Sequence, residues 1–339
     1  MRVYFNIIKV NKLEKNCTVI VNPTAGRGRS TRYLPMLSDV LKEKYENITI
    51  KTTKKTKDAT RFARIAAKNN EDIICMGGDG TINETINGIV PVKNSTSTFG
   101  FVPFGTVNDL ARALHIPRSP KGAIRMLKNA TKTKIDVGKI NKRYFINVVA
   151  AGLIAETVGK VTIKEKTLFG SMAYFMKALQ VINKQPSYRF RIEMKNGTII
   201  QISSPLIAAM LTDSAGSFHN FMPTKDRNKG LIKLVLFKDF SWINTLKEAP
   251  KLITGEQFGP DTMTVIDVKK AHISIEDENT ELLTNIDGEI GSEFPINIEV
   301  LPSRLSVFIP NNAEKENSTF NVPHLIEFLR KHLKLTYTE

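Results

Sequence analysis

Four short segments carry residue types that could do chemistry on phosphate and hydroxyl groups. The first is Asn22-Pro23-Thr24-Ala25-Gly26-Arg27-Gly28-Arg29, directly after an apolar run. Its small residues let backbone amides approach phosphate oxygens, and a following helix would add partial positive charge. It lacks the lysine of GxxxxGK[ST] and does not satisfy GxGxxG, so alone it could equally be a plain turn. The second is Gly77-Gly78-Asp79-Gly80-Thr81-Ile82-Asn83-Glu84, continuing to Asn87-Gly88. Glycines around one aspartate form a loop whose only side-chain bulk is a carboxylate and a hydroxyl. Such a loop can cup a polyphosphate while Asp79 reaches a magnesium ion, directly or through water. The third is Pro103-Phe104-Gly105-Thr106-Val107-Asn108-Asp109, where Gly105 opens space and Thr106 offers a hydroxyl. Asp109 there is either a functional group or the cap of a helix starting near Leu110. The fourth is Asn285-Ile286-Asp287-Gly288-Glu289, two carboxylates flanking a glycine, a pattern that suits proton abstraction from an alcohol and also suits an ordinary charged turn.

These segments need a frame that brings them together. Residues 17–21, 48–52, 72–76 and 98–103 read as buried strands, separated by helical patterns at about 33–44 and from Asp58, where Ala59, Phe62, Ala63 and Ala66 share one face. That alternation predicts a parallel sheet wound with helices, with ligands gathered at the carboxyl ends of its strands. After about residue 133 the texture changes. Residues 188–194 alternate as a strand, Asn196-Gly197 is a hairpin turn, and 198–203 returns. Further strands are expected at 230–237, 272–276, 281–286 and 296–300. The fold expected is therefore α/β: an N-terminal three-layer nucleotide-binding domain over 1–130, completed by 310–339, and a mostly antiparallel β-sandwich over 131–309, with a cleft between them. Residues 322–335 show helical spacing, with Val322, Leu325, Ile326, Leu329 and Leu333 on one face.

The chain has 339 residues, 41% of them hydrophobic, enough to bury sizeable cores. Net charge is +16, from 49 Lys and Arg against 33 Asp and Glu, a field that attracts nucleic acid, nucleotide phosphates or an anionic membrane. Cys17 and Cys75 are the only cysteines, so a disulfide framework or multi-cysteine zinc site is excluded. Cys75 ends an apolar run and reads as core. No stretch of 18 apolar residues and no signal-like N-terminus appears, so the expectation is a soluble, cytoplasmic protein, at most peripheral at the inner membrane face. No zinc, helix-turn-helix or RNP signature supports a nucleic-acid partner.

Taken in order, NPTAG, GGDGTINETINGI, PFGTVNDLARAL and DGE closely resemble the soluble bacterial diacylglycerol kinases and the wider group of sphingosine and ceramide kinases. The similarity is densest from Asn22 to about Ile116. The resemblance implies an ATP-dependent lipid kinase of phospholipid metabolism, with diacylglycerol the leading acceptor and Mg2+ the metal. Nucleotide contacts would fall on Asn22, Pro23, Thr24, Ala25, Gly26, Thr53, Gly78, Asp79, Gly80, Thr81, Ile82, Asn83, Glu84 and Thr106. Glu289 would be the general base, Asp79 would hold the catalytic magnesium network, and Asp287 would support it. Family members often pair through the second domain, which extends here to an expected homodimer. One departure stands out. Where close relatives carry an acidic magnesium-binding segment, this chain has Asp226-Arg227-Asn228-Lys229-Gly230-Leu231, so the structural site at Asp226, Lys229 and Leu231 is expected to be lost, because an ammonium has no lone pair to give. The acceptor's apolar wall is expected at 168–176 or else that segment is core, and Lys160, Lys164 and Lys166 before it would meet anionic headgroups or water. NAD kinases share GGDGT, but there the NE motif lies well downstream, whereas Asn83-Glu84 follows at once here. A nucleotide- or lipid-sensing protein without catalysis is the alternative of a different class.

Overall fold

The fold is described from a computed structural model covering residues 14–152, 187–212, 229–237, 263–277 and 280–311. The segments 168–176 and 322–335, the lysines at 160, 164 and 166, and Asp226 to Asn228 lie outside the described residues.

In chain order the first half contains β1 (Glu14–Val21), α1 (Ala25–Gly28), α2 (Leu34–Lys42), β2 (Tyr45–Thr52), α3 (Asp58–Lys68), β3 (Asp72–Gly77), α4 (Asp79–Ile89), β4 (Thr98–Pro103), α5 (Asp109–Ala113) and α6 (Pro120–Lys128). β3 and β4 are buried at every position, as strands covered on both faces must be. β2, β1, β3 and β4 run parallel in that spatial order. In-register pairing of Val21 with Met76 and of Gly77 with Pro103 puts the ends of β1, β3 and β4 at one sheet edge, where three of the glycine-containing segments begin.

The second half is β-rich: β5 (Thr131–Ile140), β6 (Arg143–Phe145), β7 (Val148–Gly152), β8 (Tyr188–Met194), β9 (Ile199–Ser204), β10 (Leu206–Met210), β11 (Ile232–Phe237), β12 (Met263–Val268), β13 (Lys270–Ile275), β14 (Leu283–Ile286), β15 (Glu289–Glu293) and β16 (Ile296–Ile309). One ten-stranded sheet runs β2-β1-β3-β4-β16-β13-β8-β9, with β5 paired to β16 and β6 to β5; a second, antiparallel sheet runs β12-β11-β10-β7-β14-β15. Phe190, Ile192, Ile273 and Ile298 from the first sheet and Val149, Ile207, Leu234 and Ile286 from the second form one buried cluster, the core of a β-sandwich. The expected α/β and sandwich architecture is therefore the one observed.

β16 extends well beyond the expected 296–300. It pairs antiparallel with β13 at one end, and Ser306 and Val307 pair parallel with Thr98 and Phe99 of β4 at the other. Its last turns, Leu305, Val307 and Phe308, pack in the first domain's core, while Ile296 and Ile298 pack in the sandwich. A single strand thus stitches the two layers systems together. Among the described residues no helix is long and apolar enough to cross a membrane.

Candidate active site

Three loops meet at the carboxyl edge of the parallel strands. The β-ladder continues one step into them, with Asn22 N–H donating to Met76 O and Phe104 N–H to Gly77 O, both at 2.9 Å. Asn22 then organises the first loop. Its Oδ1 accepts from Thr24 N–H (3.1 Å) and Thr24 Oγ1 (2.9 Å), and its Nδ2 donates to Thr81 Oγ1 (2.9 Å), tying the first loop to the second. Gly26 sits at φ 61 with Phe104 so close that an added Cβ would lie 2.7 Å from the ring, so both conformation and space require glycine there. Pro23 and Ala25 flank this turn, half-buried, and Thr53 N–H donates to Val21 O (2.9 Å) at the end of β2.

The second loop begins α4, with Gly78 as its N-cap in extended conformation and no side chain capping the first amides. Those N–H groups face whatever anion approaches. Asp79, in the first turn, accepts from Asn108 N–H at 3.3 Å. A Cβ on Gly105 would lie 2.5 Å from Asp79 Oδ2 and 2.7 Å from Asn108 Oδ1, so the third loop closes onto Asp79 only because residue 105 has no side chain. Asn108 donates its Nδ2 to Gly105 O (2.9 Å), leaving Oδ1 buried with no donor. Burial pushes the Asp79 carboxyl above the usual carboxylate range; the Asn108 amide pulls it back, and neighbouring Asp109 raises it further. Asp79 and Asp109 bring two carboxylates together here, with the Arg112 guanidinium acting on both, and oxygen-only ligands are what magnesium takes. Among the described residues no group of three His, Cys, Asp or Glu side chains could hold a metal by itself, so a magnesium ion here would complete its shell with phosphate and water. Asp109 occupies the first turn of α5 and is not the N-cap, which is Asn108 at φ 55. Thr106 is exposed between them.

The other sequence-expected contacts have different partners. Ile82 is core. Glu84 accepts from Lys57 N–H with both oxygens at 3.0 Å, pinning the turn that precedes α3. Asn83 turns away from the loop and donates to Asp287 Oδ2 at 3.0 Å.

Asp287 and Gly288 form the two-residue turn between β14 and β15, with φ of 49 and 94, the pair of positive values that a tight hairpin of this twist demands. The structure separates the two carboxylates of this segment. Asp287 faces inward, its Oδ2 accepting from Ile146 N–H (2.8 Å) as well as Asn83, and its Oδ1 from Asn147 N–H (3.0 Å) and Val148 N–H (2.9 Å). Burial nonetheless lifts its carboxyl to about 6 against the pull of these donors. Glu289 faces the phosphate loop: a Cβ on Gly80 would lie 3.3 Å from Glu289 Oε1. Its other oxygen, Oε2, accepts from Arg143 at 2.7 Å, and the same guanidinium donates to Ile290 O at 2.8 Å. Arg143 was not singled out in the sequence, and Asn87 and Asn108 stood there as members of their segments without a role. The amide of Asn87, on α4, exchanges two hydrogen bonds with the Tyr144 backbone (2.9 and 3.0 Å). Lys229 is exposed and Leu231 half-buried, while Gly230 N–H donates to Asp136 (2.8 Å).

Comparison with known proteins bears on this arrangement. A family model described as the diacylglycerol kinase catalytic domain matches residues 16–140, and one described as the YegS C-terminal NAD kinase beta sandwich-like domain matches residues 147–309. A diacylglycerol kinase of Staphylococcus aureus (strain bovine RF122 / ET3-1) is 34% identical over 313 residues, covering 91% of this chain and 97% of that protein. The diacylglycerol kinase of strain MRSA252 is 34% identical over 308 residues, covering 90% and 95%. Among solved structures, one from Bacillus anthracis str. Sterne proposed to be a diacylglycerol kinase superposes with a TM-score of 0.73 at 25% identity, covering 88% of this chain and 97% of that one.

Proposed function

Since the chain belongs to the diacylglycerol kinase family and is a lipid kinase, we propose that it moves the γ-phosphoryl group of ATP onto a lipid hydroxyl, diacylglycerol foremost, giving phosphatidic acid. The observation that carries this reading is the placement of Glu289, on a hairpin of the second sheet, against Gly80 in the first turn of α4. A base from one domain there meets the phosphate loop of the other.

In this reading the phosphates of ATP lie along Asn22 to Gly26 and Gly78 to Thr81, with Thr53 and Thr106 at the rim. Backbone amides at the start of α4 take up phosphate charge. Asp79 would hold magnesium, directly or through water, and the ion's chemistry there is to neutralise and orient phosphate oxygens. Glu289 accepts the acceptor's hydroxyl proton while that oxygen bonds to the γ-phosphorus and the bond to the β,γ-bridging oxygen breaks, leaving ADP. Asp287 carries no proton in this scheme; its inward hydrogen bonds hold the turn that presents Glu289.

The test is transfer of labelled γ-phosphate from ATP to a mixed lipid extract by the wild type, Glu289→Ala and Asp79→Ala. A labelled lipid made by the wild type and absent from both variants supports the proposal, and its mass identifies the acceptor. ATP binding without any lipid product would overturn it in favour of a nucleotide sensor.

A further inference from the structure

Glu289 is an exposed side chain on a hairpin, with 44% of its surface open, so nothing in its own strand fixes where its carboxylate points. A mobile carboxylate is a poor base, since a displacement of about 1 Å can cost about 100-fold in rate. The structure supplies one restraint. Arg143 lies on the short strand β6, which among the described residues pairs with β5 alone. Its guanidinium makes two hydrogen bonds to the same hairpin, one to Glu289 Oε2 and one to the backbone oxygen of the next residue, Ile290. With Oε2 held, Oε1 is the oxygen left facing Gly80.

The backbone beneath Arg143 is itself fixed to the nucleotide domain. Tyr144, its neighbour, is held through both N–H and C=O by Asn87 of α4, and the next three amides after Tyr144 and Phe145, at Ile146, Asn147 and Val148, hold the Asp287 carboxylate. Residues 143–148 therefore run from the helix whose first turn meets the phosphates to the hairpin that carries the base.

From this geometry we infer that Arg143 is a positioning residue for phosphoryl transfer, anchoring one oxygen of Glu289 so that the other faces the site of attack at the start of α4. The inference rests on the reading of Glu289 as the general base. The planar, forked guanidinium can serve Oε2 and the Ile290 carbonyl together, which a lysine ammonium at the end of a flexible stem does less well. Because the pair is about one-third to one-half exposed, it contributes little to stability, and its loss should show in rate before it shows in folding.

The full-length chain is assayed as wild type, Arg143→Gln, Arg143→Lys, Glu289→Gln and the double variant Arg143→Gln/Glu289→Gln, with thermal unfolding of each. The expected result is a kcat for Arg143→Gln lower by about 10- to 100-fold, with KM for ATP within about twofold of wild type and an unchanged melting temperature. Arg143→Lys should fall between. The double variant should be no slower than Glu289→Gln, because Arg143 acts only through that carboxylate, and added guanidinium ion should raise the rate of Arg143→Gln but not of Glu289→Gln. Full kcat in Arg143→Gln beside an inactive Glu289→Gln would overturn the positioning role while leaving the base in place. Full activity in Glu289→Gln would overturn the base itself. Loss of activity in step with loss of thermal stability in both Arg143 variants, with no response to guanidinium, would reduce Arg143 to a structural contact and overturn the inference.

Discussion

Asp287 belongs to the hairpin that carries Glu289, yet its own carboxylate faces away from the phosphate loop. Four donors converge on its carboxylate, three of them consecutive backbone amides. An asparagine there would turn its NH2 onto at least one backbone N–H in either orientation, leaving buried donors unsatisfied at about 1–3 kcal/mol each. Asp287→Asn is therefore expected to lower the free energy of unfolding, measured by denaturant titration, by at least that order. The pH dependence has a definite sign. The folded carboxyl, at about 6, holds its proton more tightly than an unfolded one at 3.8, so Asp287 contributes stability that is complete below the lower value and lost as pH rises through the upper. The variant's deficit against wild type should accordingly widen as pH falls from neutral to about 4.5; a deficit that narrows would show that the four donors, not burial, control this group. Residue type and spacing alone marked Asp287 and Glu289 as a matched pair, and only the family resemblance gave them different roles, because the amides that claim one of them lie some 140 residues earlier in the chain. Arg143 was invisible for the same reason: an arginine in a lysine-rich stretch declares nothing until its partner is in view.

Among the elements, α4 links several parts of the candidate site. Its first turn meets Gly105 and Glu289, Asn83 and Asn87 one turn apart reach the second domain, and Gly88 lies against α3. A Cβ at Gly88 would stand 2.4 Å from Thr60 O and 2.8 Å from Ala63 Cβ, and backbone cannot yield as a flexible side chain can. In an isolated helix Gly→Ala would gain up to about 1 kcal/mol. In this crossing the overpacking should win, so Gly88→Ala is expected to destabilise by about 1–3 kcal/mol, read as a lowered thermal midpoint. A raised midpoint would mean that α3 can shift at no cost. The glycine was legible in the sequence as part of a loop-to-helix motif, but its reason, a helix crossing, was not. The buried strands ending in these loops were legible because their apolar runs and flanking glycines are local signals. β5 was missed because Thr131, Lys132, Thr133 and Lys134 disguise a strand whose second half is buried.

At the scale of the molecule, the two domains are less separable than their textures suggest. Residues 296–300 alternate and were expected as a strand, but Pro302-Ser303-Arg304 breaks the pattern, with a register shift against β5 between Leu301 and Leu305 and Ser303 at φ 51. Beyond that irregularity the same strand enters the first domain's core, a return no local pattern announces. Charge belongs to this scale too, because it is a property of the sum: +16 over 339 residues. A lipid kinase must take its acceptor from a membrane, and a field of that sign would draw it to anionic bilayers, the direction expected at the inner face of a cell membrane. The attraction acts between exposed charges and so must weaken as the Debye length shrinks from about 10 Å at 0.1 M salt to about 3 Å at 1 M. Co-sedimentation with vesicles is expected to be strong for anionic phospholipid at the lower salt, lost at the higher, and weak for neutral phospholipid at both. Equal binding to neutral and anionic vesicles, unaffected by salt, would show that apolar contact rather than charge brings the enzyme to its substrate, and would leave the basic surface without a role at the membrane.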